Sequence, residues 1–213
     1  GKDQLNQSEK ITVELGKQTL PVSTTANPLG YLKYTYTASE IQPDMLNADI
    51  TQTTDSPSWG GLYLQYFEKF DQVQQQKGIL SVTKKLFIEK IGSDGKQELL
   101  PLGKEKLKTG DKVITRLTLS LKQDMDFLYL KDFRAACFEP IGQLSGNQWK
   151  FGTVYYEESK DAVTNFFFNS LAKGTYVLEY PVWVNQAGTY QDGIATFQSM
   201  YAPEYTAYSE AGK

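Results

Sequence analysis

The chain has 213 residues, with 22 Lys and Arg against 25 Asp and Glu and no histidine. A net charge of −3 with both signs interspersed argues against nucleic acid or an anionic membrane as partner. The missing histidine removes the commonest general base and the commonest metal ligand together.

One cysteine, Cys137, excludes an intrachain disulfide and leaves the redox compartment open. No run of about 18 apolar residues is present to span a bilayer, and no secretory signal opens the chain. Gly1 and the polar residues after it read as the start of a piece of something longer. One large or two small domains are expected at this length, and a domain of roughly 150 residues buries ~70% of its unfolded surface, enough for a core without staples. Aromatics make up 13%, with 14 Tyr and 11 Phe beside many Thr and Val, residues that suit a pleated, half-buried surface. Long amphipathic helical stretches are missing. The expected class is all-β.

Taken in order, residues 11–22 predict two short strands around Gly16-Lys17, and Asn27-Pro28-Leu29-Gly30 predicts a turn. Tyr31 to Thr37 alternates as a strand, Ser39 to Met45 fits one helical turn limited by Pro43, and Ala48 to Thr53 is a weak strand. After a loop at Asp55–Ser58, the aromatic stretch Leu62 to Phe67 reads as a strand. Asp71 to Gly78, polar and glutamine-rich, reads as a domain boundary, with an ordinary hairpin loop as the alternative.

A long strand is expected from Ile79 to Ile91, with Leu80, Val82, Leu86 and Ile88 on one face and a turn at Ser93-Asp94-Gly95. The chain is organised around residues 111–140. There Val113, Thr115, Leu117, Leu119 and Leu121 share one face and Arg116, Thr118 and Ser120 the other. A polar break at Lys122–Asp126 and a second apolar run, Phe127–Leu130, predict a central β-hairpin. Ile141 to Gly152 reads as a loop holding Trp149. Strands are expected over Val163–Phe168, Thr175–Val184 and Ile194–Tyr201. Many strands without crossover helices predict an antiparallel sandwich.

Candidate chemistry is sparse. Asp124, Asp126 and Asp132 could hold Ca²⁺, but lack the glycine and distal glutamate of a calcium loop, and a solvated strand end is the simpler reading. Glu157-Glu158 with Asp161 could be a glycosidase pair, although proximity in sequence assigns neither acid nor base. Trp59, Trp149 and Trp183 could form a sugar-stacking platform, against the commoner use of aromatics in cores and interfaces. Cys137, beside Ala135-Ala136 and Phe138, reads as a small buried hydrophobe. Asn6-Gln7-Ser8 matches a glycan acceptor.

Asp124-Met125-Asp126-Phe127, Lys131-Asp132-Phe133-Arg134-Ala135-Ala136 and Phe138-Glu139-Pro140 resemble the C-terminal domain of bacterial alpha-2-macroglobulin-like proteins, most nearly the large Bacteroidetes-type forms. Leu144-Ser145-Gly146, Tyr155-Tyr156, Lys160-Asp161-Ala162, Thr164 to Phe168, Lys173 to Tyr176 and Met200 to Glu204 carry the resemblance across most of 111–205. Ser58 to Phe67 is similar to the segment that returns from the thioester domain of such proteins.

The resemblance implies a fragment of a protease trap, in which cleavage of a bait region triggers collapse and a Cys-x-x-Gln thioester, where present, couples to the attacker. Cys137 is followed by Phe138, Glu139 and Pro140 and is not that motif. Residues 1–75 are then expected to complete a small sandwich next to the parent's thioester domain, and 79–213 to form an immunoglobulin-like macroglobulin sandwich. The expected role is a non-catalytic structural and conformational-coupling module without a cofactor. Its partners would be other domains of the parent and, through the intact parent, proteases, without nucleic acid or direct membrane insertion. Interdomain contact is expected from Tyr63, Tyr66, Asp126, Lys131, Asp132, Arg134, Tyr155 and Tyr156. The location implied is the cell envelope, through a lipid anchor elsewhere in the parent. The rival reading is a cell-surface glycan-binding sandwich.

Overall fold

Residues 11–21, 33–53, 60–69, 72–103, 106–142, 145–150 and 152–211 are those that the computed structural model describes. Asn6–Ser8, Asn27–Gly30, Asp55–Ser58 and Trp59 lie outside them. The strands in chain order are β1 Ile11–Leu15, β2 Gln18–Thr19, β3 Ala48–Gln52, β4 Leu80–Ile91, β5 Gln97–Pro101, β6 Lys112–Leu121, β7 Met125–Phe133, β8 Phe138–Pro140, β9 Gly146–Lys150, β10 Thr153–Ser159, β11 Val163–Leu171, β12 Gly174–Val184, β13 Ala195–Ser199 and β14 Thr206–Tyr208. The chain divides into two compact units, residues 1–65 and 66–213.

In the first unit β2, β1 and β3 form a three-stranded antiparallel sheet. The β1–β2 turn depends on Gly16. Its φ is +58°, and a Cβ there would lie 2.7 Å from the Asp44 backbone, so both conformation and space demand glycine. The helical turn is a single 3-10 turn, Pro43–Leu46, that starts at proline instead of Ser39. Proline has a preset φ and no N–H to satisfy, and it opens a helical turn better than it continues one. Two expected strands do not form among the described residues. Residues 33–37 are irregular, and so are residues 62–67. Leu62, Tyr63, Leu64, Tyr66 and Phe67 stand exposed, and no strand among the described residues pairs with them.

The second unit is an antiparallel sandwich of two sheets, ordered β14-β13-β7-β11-β10-β9 and β5-β4-β6-β12-β8. Period-two alternation places its core. Val113, Thr115, Leu117, Leu119 and Leu121 of β6 are all buried, as are Leu128 and Leu130 of β7 and Leu178, Tyr180, Val182 and Val184 of β12. Within the Phe166-Phe167-Phe168 run, Phe166 and Phe168 enter the core while Phe167 faces out.

The central hairpin is corrected. β6 pairs with β4 and β12, whereas β7 pairs with β11 and β13 in the other sheet. Residues 122–124 thus carry the chain across the sandwich, and so do residues 172–173 between β11 and β12. A short polar break between two half-apolar strands serves a hairpin and an arch equally well. Only the strands on either side decide between them. The 141–152 segment is also corrected, because it contains β9, whose residues pair with β10 from Gly146↔Glu157 to Lys150↔Thr153.

Candidate functional site

The inward face of β4 reads Leu80, Val82, Lys84, Leu86, Ile88, and that of β7 reads Leu128, Leu130, Asp132. Each series carries one charge into the core. The Lys84 side chain is 3% exposed and that of Asp132 is 0% exposed, and the two meet across the sandwich at 2.9 Å. Asp192, from the connection between β12 and β13, approaches the same ammonium at 2.9 Å. Lys84 Nζ also donates to the carbonyl oxygens of Phe133 (2.6 Å) and Gly193 (3.1 Å). Four oxygens therefore surround a group with three N–H donors. The contact to Asp132 Oδ1 is an ion pair without hydrogen-bond alignment.

The remaining lone pairs are filled from other elements. The Tyr180 hydroxyl of β12 donates to Asp132 Oδ2. Asp192 accepts from the backbone N–H of Gly193 at 3.0 Å and of Ala135. Gly193 is required here, because a Cβ would lie 2.3 Å from Phe133 Cβ. Burial pushes the Asp132 carboxyl up to about 6, opposed chiefly by the Lys84 charge. Burial raises Asp192 as well, again opposed by Lys84. Desolvation and then the Asp132 charge push the Tyr180 hydroxyl well up. Nearby, Arg134 donates to Thr164 Oγ1 and to the carbonyls of Lys160 and Asp161, and its buried Nε has no hydrogen-bond partner among the described residues.

The outer face of the six-stranded sheet is aromatic. Tyr129 stacks on Phe167 at 4.9 Å, Tyr156 tilts against Phe167 at 6.3 Å, and Phe127 meets Tyr201 edge-on at 5.2 Å. Lys131 lies over the Phe133 ring at 4.5 Å. Tyr129 donates to Asn165 Oδ1 (2.8 Å), whose amide donates to Glu158 (2.7 Å). Trp149 stands opposite Val154 at the β9 edge, and both are exposed.

These placements sort the residues singled out above. Tyr63, Tyr66 and Asp126 are exposed, and Lys131 and Tyr156 lie on the aromatic face. Asp132, Arg134 and Tyr155 are buried, so their side chains serve the domain's interior and cannot meet another domain. Asp124 is exposed and accepts from Lys173 N at 2.7 Å, while Asp132 points inward, so the three aspartates do not converge. Glu157 and Glu158 are successive residues of β10 and face opposite sides, Glu157 beside core Phe166 and Glu158 beside Asn165. Trp149 and Trp183 project from different sheets and share no platform. Cys137 is buried, and desolvation raises its thiol. Sequence reading missed Lys84, although its signal was present as a lysine on the apolar phase of a strand.

The second unit is an immunoglobulin-like antiparallel β-sandwich with a sealed charged core. The sequence model of the bacterial alpha-2-macroglobulin MG10 domain matches residues 80–204, and the chain belongs to that family. Among solved structures, it resembles trypsin-activated alpha-2-macroglobulin from Escherichia coli at 17% identity, over 66% of this chain and 10% of that chain, with a TM-score of 0.50. It also resembles the Escherichia coli protein activated by porcine elastase (18% identity, 66% and 13% covered, TM-score 0.51). For Salmonella alpha-2-macroglobulin reacted with methylamine the values are 15% identity, 94% and 12% covered, and a TM-score of 0.50. The chain thus spans between a tenth and an eighth of these relatives. No curated protein matches it in sequence.

Proposed function

We propose that the chain is a non-catalytic structural and conformational-coupling module of a large alpha-2-macroglobulin-like protease trap. The observation that carries this reading is the MG10-family match over residues 80–204. The relatives activated by trypsin and by elastase support proteases as targets of the whole parent. A sandwich with a continuous core suits transmission of a movement, because packed interiors shift as rigid bodies and do not deform gradually. Its contacts with other parental domains run over Tyr63, Tyr66, Asp126, Lys131 and Tyr156, with Tyr129 and Phe167 extending the aromatic surface. The parent is placed in the cell envelope, held by a lipid anchor elsewhere in its chain. The glycan-binding alternative lacks support from Trp149 and Trp183, which project from different sheets.

The test is incubation of the chain with trypsin-like and elastase-like proteases, reading peptide turnover and denaturing gels. Turnover stays unchanged and no band of summed mass forms. A covalent adduct abolished by Cys137→Ala would defeat the reading, since the buried thiol would then be chemically competent.

Residues 1–75 are proposed to complete a small sandwich with strands supplied by the parent, which accounts for the exposed Leu62, Tyr63, Leu64, Tyr66 and Phe67. The end of the 71–78 segment is already fastened to the second unit. Gln76 N donates to Tyr208 O at 3.1 Å, and Gln75 Nε2 to Val82 O at 2.8 Å. Trypsin at low ratio should therefore cut first after exposed Lys69, leaving a stable fragment that starts at Phe70. First cuts inside 80–204 would show that the division is misplaced.

A further inference from the structure

Around the Lys84 ammonium the charges do not balance, because the buried Arg134 turns to Thr164 and backbone carbonyls instead. Lys84 brings one positive charge to two carboxylates, Asp132 and Asp192, each 2.9 Å from its ammonium. Asp132 lies on β7, Lys84 on β4 of the opposite sheet, and Asp192 on the connection that leads from β12 to β13. The cluster is thus the point where both sheets and residues 185–193 are tied together. The same connection is held at its start by Asn185 N donating to Cys137 O at 2.8 Å.

We propose that Lys84, Asp132 and Asp192, which tie both sheets to the 185–193 connection, form a proton-linked latch that takes up one proton between neutral and mildly acidic pH and thereby stabilises the folded sandwich.

Among the described residues, few titratable or charged groups face this site. From β4 the facing group is Lys84, from β12 Tyr180, and from the β12–β13 connection Asp192. Arg134, just past β7, turns its guanidinium to Thr164 and the carbonyls of Lys160 and Asp161. The Cys137 thiol lies within electrostatic reach of Asp192. Across the sheet Asp132 is flanked by Thr164 and Ala195, neither of which carries charge. Burial is what chiefly disfavours the charged form of both carboxyls, and the Asp192 charge adds a smaller push on Asp132, so the desolvated site favours holding a proton.

The hydrogen bonds can accommodate it. A proton from solvent on Asp132 Oδ2 makes that oxygen a donor to the Tyr180 oxygen, and the Tyr180 hydroxyl turns its own proton to Thr115, with which it also interacts. Lys84 then faces a single carboxylate, Asp192, and the cluster is neutral.

The sign follows from linkage. Asp132 is held near 6 when folded, against 3.8 for the free group, so the folded state binds the proton first as pH falls. The stabilisation is absent well above pH 6, grows as pH drops through it, and is complete by the free-group value. Between pH 7.5 and pH 5 this amounts to about a ten-fold gain in the folded-to-unfolded ratio.

The experiment is urea unfolding of the full chain at both pH values, for wild type and for Asp132→Asn, whose isosteric amide keeps the site's shape but cannot ionise. Wild type should gain about ten-fold relative to the variant on going to pH 5, and the variant should be no less stable than wild type at pH 7.5. Parallel pH profiles would overturn the proposal. Carboxyl-carbon NMR of the wild-type chain gives a check that needs no variant. One aspartate resonance should titrate near pH 6, and the absence of any such step between pH 5 and pH 7 would equally overturn it.

Discussion

Lys84→Met will destabilise the second unit by about 3–5 kcal/mol at pH 7.5, the loss expected when one partner of a buried ion pair is removed. Methionine fills much of the same volume, so the defect is electrostatic. Asp132 and Asp192 are left without their cation in a site where Asp132 is fully buried, and the carbonyls of Phe133 and Gly193 lose their donor. The deficit should shrink in mild acid. Burial already holds both carboxyls above the usual range, opposed chiefly by Lys84, and without the lysine they accept protons more readily and become neutral. Lys85→Met, on the outward phase of the same strand, is the control and should leave the urea midpoint nearly unchanged. An equal loss at both positions would mean that the charge cluster contributes nothing specific.

Phe166→Ala should cost about 3–5 kcal/mol, as expected for emptying a buried aromatic site. Its ring is 1% exposed and packs against Tyr155 at 5.7 Å and Tyr180 at 6.1 Å, so the hole opens between the two sheets. Phe167→Ala should cost well under half as much. That ring faces outward and loses mainly its stack on Tyr129. The two urea midpoints, read side by side, test the register of β11 directly. A one-residue slip would exchange the two faces and reverse the order.

What could be read without coordinates was local. Alternation set the inward faces of β4 and β6, because a pleated strand sends successive side chains to opposite sides whatever it pairs with. Lys84 sat on the inward phase of β4 in plain sequence, and Asp132 on the phase of Leu128 and Leu130 in β7, and a charge on an apolar face marks a site. Aromatic and β-branched content gave the all-β class, and the family resemblance over 111–205 agrees with the MG10 match. Pairing was not legible. The break at Lys122–Asp124 suits a hairpin or an arch, and only β11 and β13, far along the chain, claim the edges of β7 and draw it into the other sheet. The extended look of Leu62–Phe67 was a propensity without a partner, and a strand needs a neighbour's hydrogen bonds before it exists. The electrostatic site was decided last and at longest range. Lys84 is satisfied by Asp192, 108 residues away, through a loop whose path no local pattern encodes. Periodicity tells a side chain which way to face, but only the assembled sandwich determines what it meets there.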